Sequence, residues 1–221
     1  MLVRYALDPD WEVGPAPRRP FVGLPLLWAG GLLGAYLLSI LSLPIAERAG
    51  FRSILGEQLD ELTVVDQLMF VVVAAPLLEE TIYRLALARQ LRLPVLTVAG
   101  LLAGTLFWGS HPLAMGVGPA IGLTALAAWA HRPTGSAVTR WWADNPRWPV
   151  WASVLLFGMS HLVGFDVDVS PLVVLAPLAV LPQIWLGLVF TVARVRFGFW
   201  AAIVVHALHN LSVWSLATAI S

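Results

Sequence analysis

Residues 67–84 read QLMFVVVAAPLLEETIYR. The first ten suit a lipid bilayer, yet Glu79, Glu80 and Arg84 follow at once in the same apolar neighbourhood. A charged side chain at mid-membrane is disfavoured by roughly 2.5 to 3.5 kcal/mol on insertion scales, so three of them within six residues require a chemical reason. Glu80 and Arg84 are four apart in the acid-first order that pairs well on a helix, and each lowers the other's desolvation penalty. Glu79 points about 100° away and is the freer carboxylate. Pro76, three residues earlier, removes a backbone hydrogen bond and predicts a kink that opens a wet pocket beside Glu79. An ion pair that merely fixes helix register explains Glu80 and Arg84 but leaves Glu79 without a purpose.

The rest of the chain agrees with a membrane setting. Its 221 residues are 59% hydrophobic and 12% charged, with a mean hydropathy of +0.81, outside the range of soluble globular proteins. The predicted fold is all-α, a polytopic transmembrane bundle of about seven spans near 21–44, 67–88, 93–111, 112–131, 148–165, 171–193 and 198–219. Residues 1–20 read as a polar, proline-rich cytoplasmic segment, and 21–221 as a single transmembrane domain. The first apolar run is too long for a signal-peptide core and predicts a retained helix.

All thirteen basic residues are arginine. With seven spans, ten of them, including Arg89, Arg92, Arg132, Arg140, Arg147, Arg194 and Arg196, fall on one side, against Arg48 and Arg52 on the other. By the positive-inside rule the N-terminus is cytoplasmic in a multi-pass cell-membrane protein. The absence of cysteine excludes disulfide and thiolate chemistry. A formal net charge of zero argues against a nucleic-acid partner and leaves the bilayer and membrane-embedded substrates as the expected contacts. Gly30-x-x-x-Gly34, Gly100-x-x-x-Gly104 and Gly118-x-x-x-Gly122 read as close helix packing.

Four of the five histidines, His111, His161, His206 and His209, lie in or at the ends of apolar spans, and His131 lies in a loop. With two intramembrane glutamates they suggest a site rather than isolated packing contacts. His206 and Asn210 share a helical face, where an imidazole and a carboxamide can converge on one substrate oxygen. His209 lies about 60° from His206 and has a weaker claim. The echo of FWGSH (107–111) and FGMSH (157–161) offers two histidines for one role.

Glu79-Glu80-x-x-x-Arg84, Phe157-x-x-x-His161 and His206-x-x-x-Asn210 occur in the order of the three motifs of the CPBP intramembrane proteases, the CAAX-protease and bacteriocin-processing (Abi) family, which the chain resembles over about 67–216. The resemblance implies an intramembrane endopeptidase acting on membrane proteins or on lipidated, CaaX-like peptides. Its site residues are Glu79, Glu80, Arg84, His161, His206 and Asn210. Glu79 then takes a proton from water, a histidine orients that water, and His206 and Asn210 donate to the oxyanion. Zinc held by Glu79, His161 and His206 is the alternative. The absence of HExxH, and an asparagine that suits an oxyanion better than zinc, favour the metal-free form. A non-catalytic immunity or scaffold protein of the same fold would have been favoured by loss of a motif residue. A proton- or ion-coupled transporter would call for matched broken helices in two halves.

The interval between Glu79 and His161 is longer than the family's usual one, which keeps His111 in contention. Depth favours His161. At about 1.5 Å per residue, Glu79 and His206 lie roughly 13 and 12 Å from the cytoplasmic boundary, His161 roughly 18 Å and His111 roughly 26 Å. His161 is therefore expected within about 4 to 7 Å of the Glu79 carboxylate, close enough to share a water.

Overall fold

The computed structural model describes residues 20–60, 62–84, 87, 141, 144–167 and 174–220. Helix α1 runs Pro20–Arg48, followed by strand β1 (Phe51–Ser53) and the short α2 (Leu55–Asp60). A continuous helical run then comprises α3 (Val64–Leu68), a π-helical segment Met69–Ala74 and α4 (Ala75–Arg84). Helix α5 spans Arg147–Ser160 and passes through a 3-10 turn, His161–Gly164, into β2 (Phe165–Val167). Helices α6 (Ala176–Ala179), α7 (Leu181–Phe197) and α8 (Phe199–Ile220) complete the described chain.

Helix α7 is the hub, packed against α1, α5 and α8. Every residue from Leu186 to Ala193 is buried, which accounts for a sequence that is apolar all round. On α1 and α8 the inward residues Leu27, Ala35, Ala202 and Val205 are buried. Leu26, Leu33, Leu37, Leu41, Val204 and Leu216 point outward and exposed. Large apolar side chains on an outer surface are the arrangement lipid selects. Val22–Arg48 and Phe199–Ala219, with mean hydropathies of 1.9 and 1.3, are long and apolar enough to cross a membrane. The described chain is thus mostly helical with two candidate membrane spans.

The expected spans 93–111 and 112–131 lie outside the described residues, and two others differ in extent. The helix expected over 148–165 stops at Ser160, because β2 leaves it to pair antiparallel with β1, with Arg52 opposite Asp166. The helix expected over 171–193 begins at Leu181, since Pro182 suits a helix's first turn but cannot continue one from upstream. It extends to Phe197, so Arg194 and Arg196 sit in its last turn rather than beyond it. Gly198 adopts a positive φ of 99° and forms the whole connection to α8.

The first glycine triplet needs a correction. A methyl group at Gly30 would meet nothing within 4 Å, whereas one at Gly31 or Gly34 would strike Val189 or the Trp185 indole on α7. Trp185 Nε1 donates to Gly31 O at 3.1 Å, so the indole occupies the groove those two glycines leave. The other two triplets lie outside the described residues. Gly34→Ala should therefore cost about 1 to 3 kcal/mol by overpacking, while Gly30→Ala should be nearly neutral. Thermal unfolding of the purified variants compares them directly, and equal melting temperatures would refute this account.

Candidate active site

Helix α4 presents its charged residues inward. Arg84 Nη1 donates to Glu80 Oε1 at 2.9 Å, and neither side chain has any exposure. The guanidinium also reaches Gly187 O on α7 at 3.4 Å and lies over the Phe157 ring at 3.9 Å. That contact spreads its charge across an aromatic face from α5. The end of α4 is closed by α7, because Arg194 Nε donates to Arg84 O at 3.1 Å. Ser153 of α5 donates to Tyr83 O at 2.7 Å. The ion pair is thereby anchored to two other helices.

Glu80 Oε1 takes a second hydrogen bond, from His206 Nδ1 at 2.9 Å. This bond fixes the imidazole of α8, whose ring stacks on Phe190 with centroids 4.2 Å apart. With Nδ1 so engaged, Nε2 faces the other carboxylate, 3.7 Å from Glu79 Oε2.

His161 approaches Glu79 from the opposite direction. It sits at the C-cap of α5, where its Nδ1 donates to Phe157 O at 2.8 Å. Because a carbonyl can only accept, Nδ1 carries the proton, and Nε2 turns toward Glu79 Oε2 at 4.0 Å. That separation stands at the near end of the 4 to 7 Å expected from the sequence. His111, its rival, lies outside the described residues, as does His131.

Glu79 Oε2 is buried and without a hydrogen-bond partner among the described residues. Separations of 3.7 and 4.0 Å are too long for hydrogen bonds and suit a bridging water. A buried carboxylate oxygen facing two ring nitrogens can accept a proton from such a water while one imidazole holds it.

Asn210 is one turn along α8 from His206, on the same face. Its Nδ2 donates to Val71 O, in the π-helical segment, at 2.8 Å. One of its two amide hydrogens is committed there, so convergence with His206 on a substrate rests on the other. His209 is buried against the edge of Phe190 at 6.1 Å, and its Nδ1 has no partner among the described residues.

Several supporting residues escaped the sequence reading. Phe190 carries the His206 ring, Arg194 and Ser153 hold the end of α4, and Trp214 Nε1 donates to Gln67 Oε1 at 2.9 Å. Trp214 did have a signal, since it extends the four-residue spacing of His206 and Asn210 by one more step. Gln67, a lone amide at the head of an apolar run, had one as well.

Zinc would draw on the same donor set. Glu79, His161 and His206 are chemically suitable ligands, and both Nδ1 atoms are held by outer partners in the manner of metal-bound histidines. Among the described residues, however, no three such side chains are arranged to hold a metal ion. As they stand, the described residues do not fit a metal.

The family model described as type II CAAX prenyl endopeptidase Rce1-like matches residues 134–212. The matched stretch includes His161, His206 and Asn210 and leaves out Glu79, Glu80 and Arg84. No curated protein and no solved structure matches the chain. Over residues 134–212 the chain is thus similar to the Rce1-like prenyl endopeptidases, consistent with the CPBP resemblance its three motifs carry.

Proposed function

We propose that this chain is an intramembrane endopeptidase that cleaves lipidated, CaaX-like peptides or membrane proteins with a water activated by Glu79. The observation that carries the reading is the unpartnered Glu79 Oε2, faced by His206 Nε2 at 3.7 Å and His161 Nε2 at 4.0 Å inside a helical bundle. The match to the Rce1-like prenyl endopeptidases favours a C-terminal prenylated peptide as the substrate class.

In this mechanism a water lies between Glu79 and His161. Glu79 takes one of its protons as the oxygen adds to the scissile carbonyl, and His161 Nε2 holds the other O–H so that a lone pair faces the carbon. The oxyanion is stabilised by the amide hydrogen of Asn210 that Val71 does not use and, when both of its ring nitrogens carry protons, by His206 Nε2–H, since Nδ1–H is given to Glu80. Glu79 then returns its proton to the leaving amine as the carbon–nitrogen bond breaks.

The arginine distribution supports a cytoplasmic N-terminus in this reading. The pairing of β1 with β2 agrees with a span order that puts both segments on one side of the membrane.

Purified protein in liposomes should release the C-terminal tripeptide from a farnesylated CaaX peptide and leave the same peptide without the lipid uncut. His161→Ala should lower that rate about a hundred-fold. Failure of the wild-type protein to cut either peptide, or any membrane-anchored one, would favour a non-catalytic member of the same fold.

A further inference from the structure

We infer that Asn210 is a positioning residue whose side-chain amide replaces the backbone N–H that Pro76 lacks, and so holds the wide helical turn that aims Glu79. The inference rests on the reading of Glu79 as the base, and it starts from the backbone. Ala75 N–H bonds to Phe70 O, five residues back, which is π-helical spacing. In the same register the next carbonyl, Val71 O, calls for the N–H of residue 76. Residue 76 is proline. The N–H of Ala75, which an α-helix would offer to Val71 O, is already committed to Phe70 O. Val71 O therefore has no donor within its own helix, in an apolar setting where an unpaired carbonyl is strongly disfavoured. Asn210 Nδ2 supplies one from α8 at 2.8 Å.

The wide turn has a cause and a consequence. In an α-helix the proline ring clashes with the carbonyl four residues earlier, here Val72, and the wider turn relieves that clash. The extra residue also rotates everything that follows. At about 100° per residue, Glu79 would lie about 120° from Gln67 in an unbroken α-helix, and absorbing one residue reduces this to about 20°. Gln67 and Glu79 thus meet the same helix, α8, at Trp214 and His206. Trp214, Asn210 and His206 follow one another at four-residue spacing along α8. They grip the facing helix before the wide turn, within it and beyond it.

If Asn210 acts by replacing an absent N–H, restoring that N–H makes Asn210 dispensable for holding the turn, whatever it also does at the oxyanion. The test uses the full chain in liposomes, with the wild type, Pro76→Ala, Asn210→Ala and the double variant. Each is assayed on a farnesylated CaaX peptide, and amide exchange is followed across residues 69–75. Asn210→Ala should lower kcat about a hundred-fold with little change in KM, since a small displacement of the base suffices for that loss. Its amides in 69–75 should exchange faster than those of the wild type. Pro76→Ala alone, with Asn210 still on Val71 O, should keep the wild type's exchange protection. The double variant should recover the exchange protection and only part of the lost kcat, because an N–H at position 76 gives Val71 O a donor within its own helix while the donor that Asn210 offers the oxyanion stays lost. A double variant whose residues 69–75 exchange as fast as those of Asn210→Ala would overturn the inference and leave Asn210 acting on substrate alone. If Asn210→Ala does not accumulate as folded protein, recovery of folded protein in the double variant is the same rescue, and its absence overturns the inference equally. Failure of the Glu79 reading would show separately, as wild-type rates in Glu79→Gln, while exchange protection still decides the role of Asn210.

Discussion

Glu79→Gln is expected to lower kcat by at least about a thousand-fold, near the upper end of what one general base contributes, and to leave the melting temperature close to that of the wild type. Chemistry and placement separate the two effects. The amide has nearly the volume of the carboxylate but cannot take a proton from water. Stability should be spared because Glu79 Oε2 has no hydrogen-bond partner among the described residues to lose. The two imidazoles that face it at 3.7 and 4.0 Å are held elsewhere, by Glu80 and by the Phe157 carbonyl. Steady-state cleavage of a farnesylated peptide, set beside thermal unfolding of the same preparations, reads both quantities. Cleavage at the wild-type rate would remove Glu79 as the base. A large drop in melting temperature would mean that its carboxylate supports the fold as well.

What could be read from the sequence follows helical arithmetic. The pairing of Glu80 with Arg84, the turn away to Glu79 and the shared face of His206 and Asn210 all depend on spacing within one helix, which sequence states directly. His161 lies 4.0 Å from Glu79, within the range that rise per residue along the helices leads one to expect.

Relations between helices carried less signal. Pro76 predicted a disturbance but not its form, since a kink and a π turn begin with the same missing N–H. The Val71 carbonyl that Asn210 occupies leaves no trace in the sequence, because it is a backbone atom of an ordinary apolar residue. Phe190 was one apolar residue among many until its ring was found stacked on His206. The paired strands are three residues each, too short for any periodicity. The break at Leu181 was missed because hydropathy runs unchanged through it, although Pro177 and Pro182 marked it.

Glu80→Leu should destabilise the protein by about 3 to 5 kcal/mol, the usual cost of leaving one partner of a buried ion pair alone. Glu80 Oε1 accepts from both Arg84 Nη1 and His206 Nδ1 at 2.9 Å, and the Glu80 and Arg84 side chains have no solvent exposure. Without the carboxylate the guanidinium keeps the Gly187 carbonyl at 3.4 Å, neighbouring aromatic faces such as that of Phe157, and the charge of Glu79, with which it makes no close ion pair among the described residues. Arg84→Met should cost a similar amount by stranding the carboxylate. The double variant Glu80→Leu with Arg84→Met removes both charges, and a buried pair replaced by apolar groups of similar size is often no less stable than the original. Its stability should therefore return most of the way to the wild type, whereas the two single losses would add if the residues were independent. Activity should not return with it, because His206 has lost the acceptor that turns its Nε2 toward Glu79. Urea unfolding in mild detergent, combined with peptide cleavage, separates the two roles. Additive losses in stability would show that Glu80 and Arg84 do not act as a pair, and a fully active double variant would show that His206 needs no anchor at Glu80.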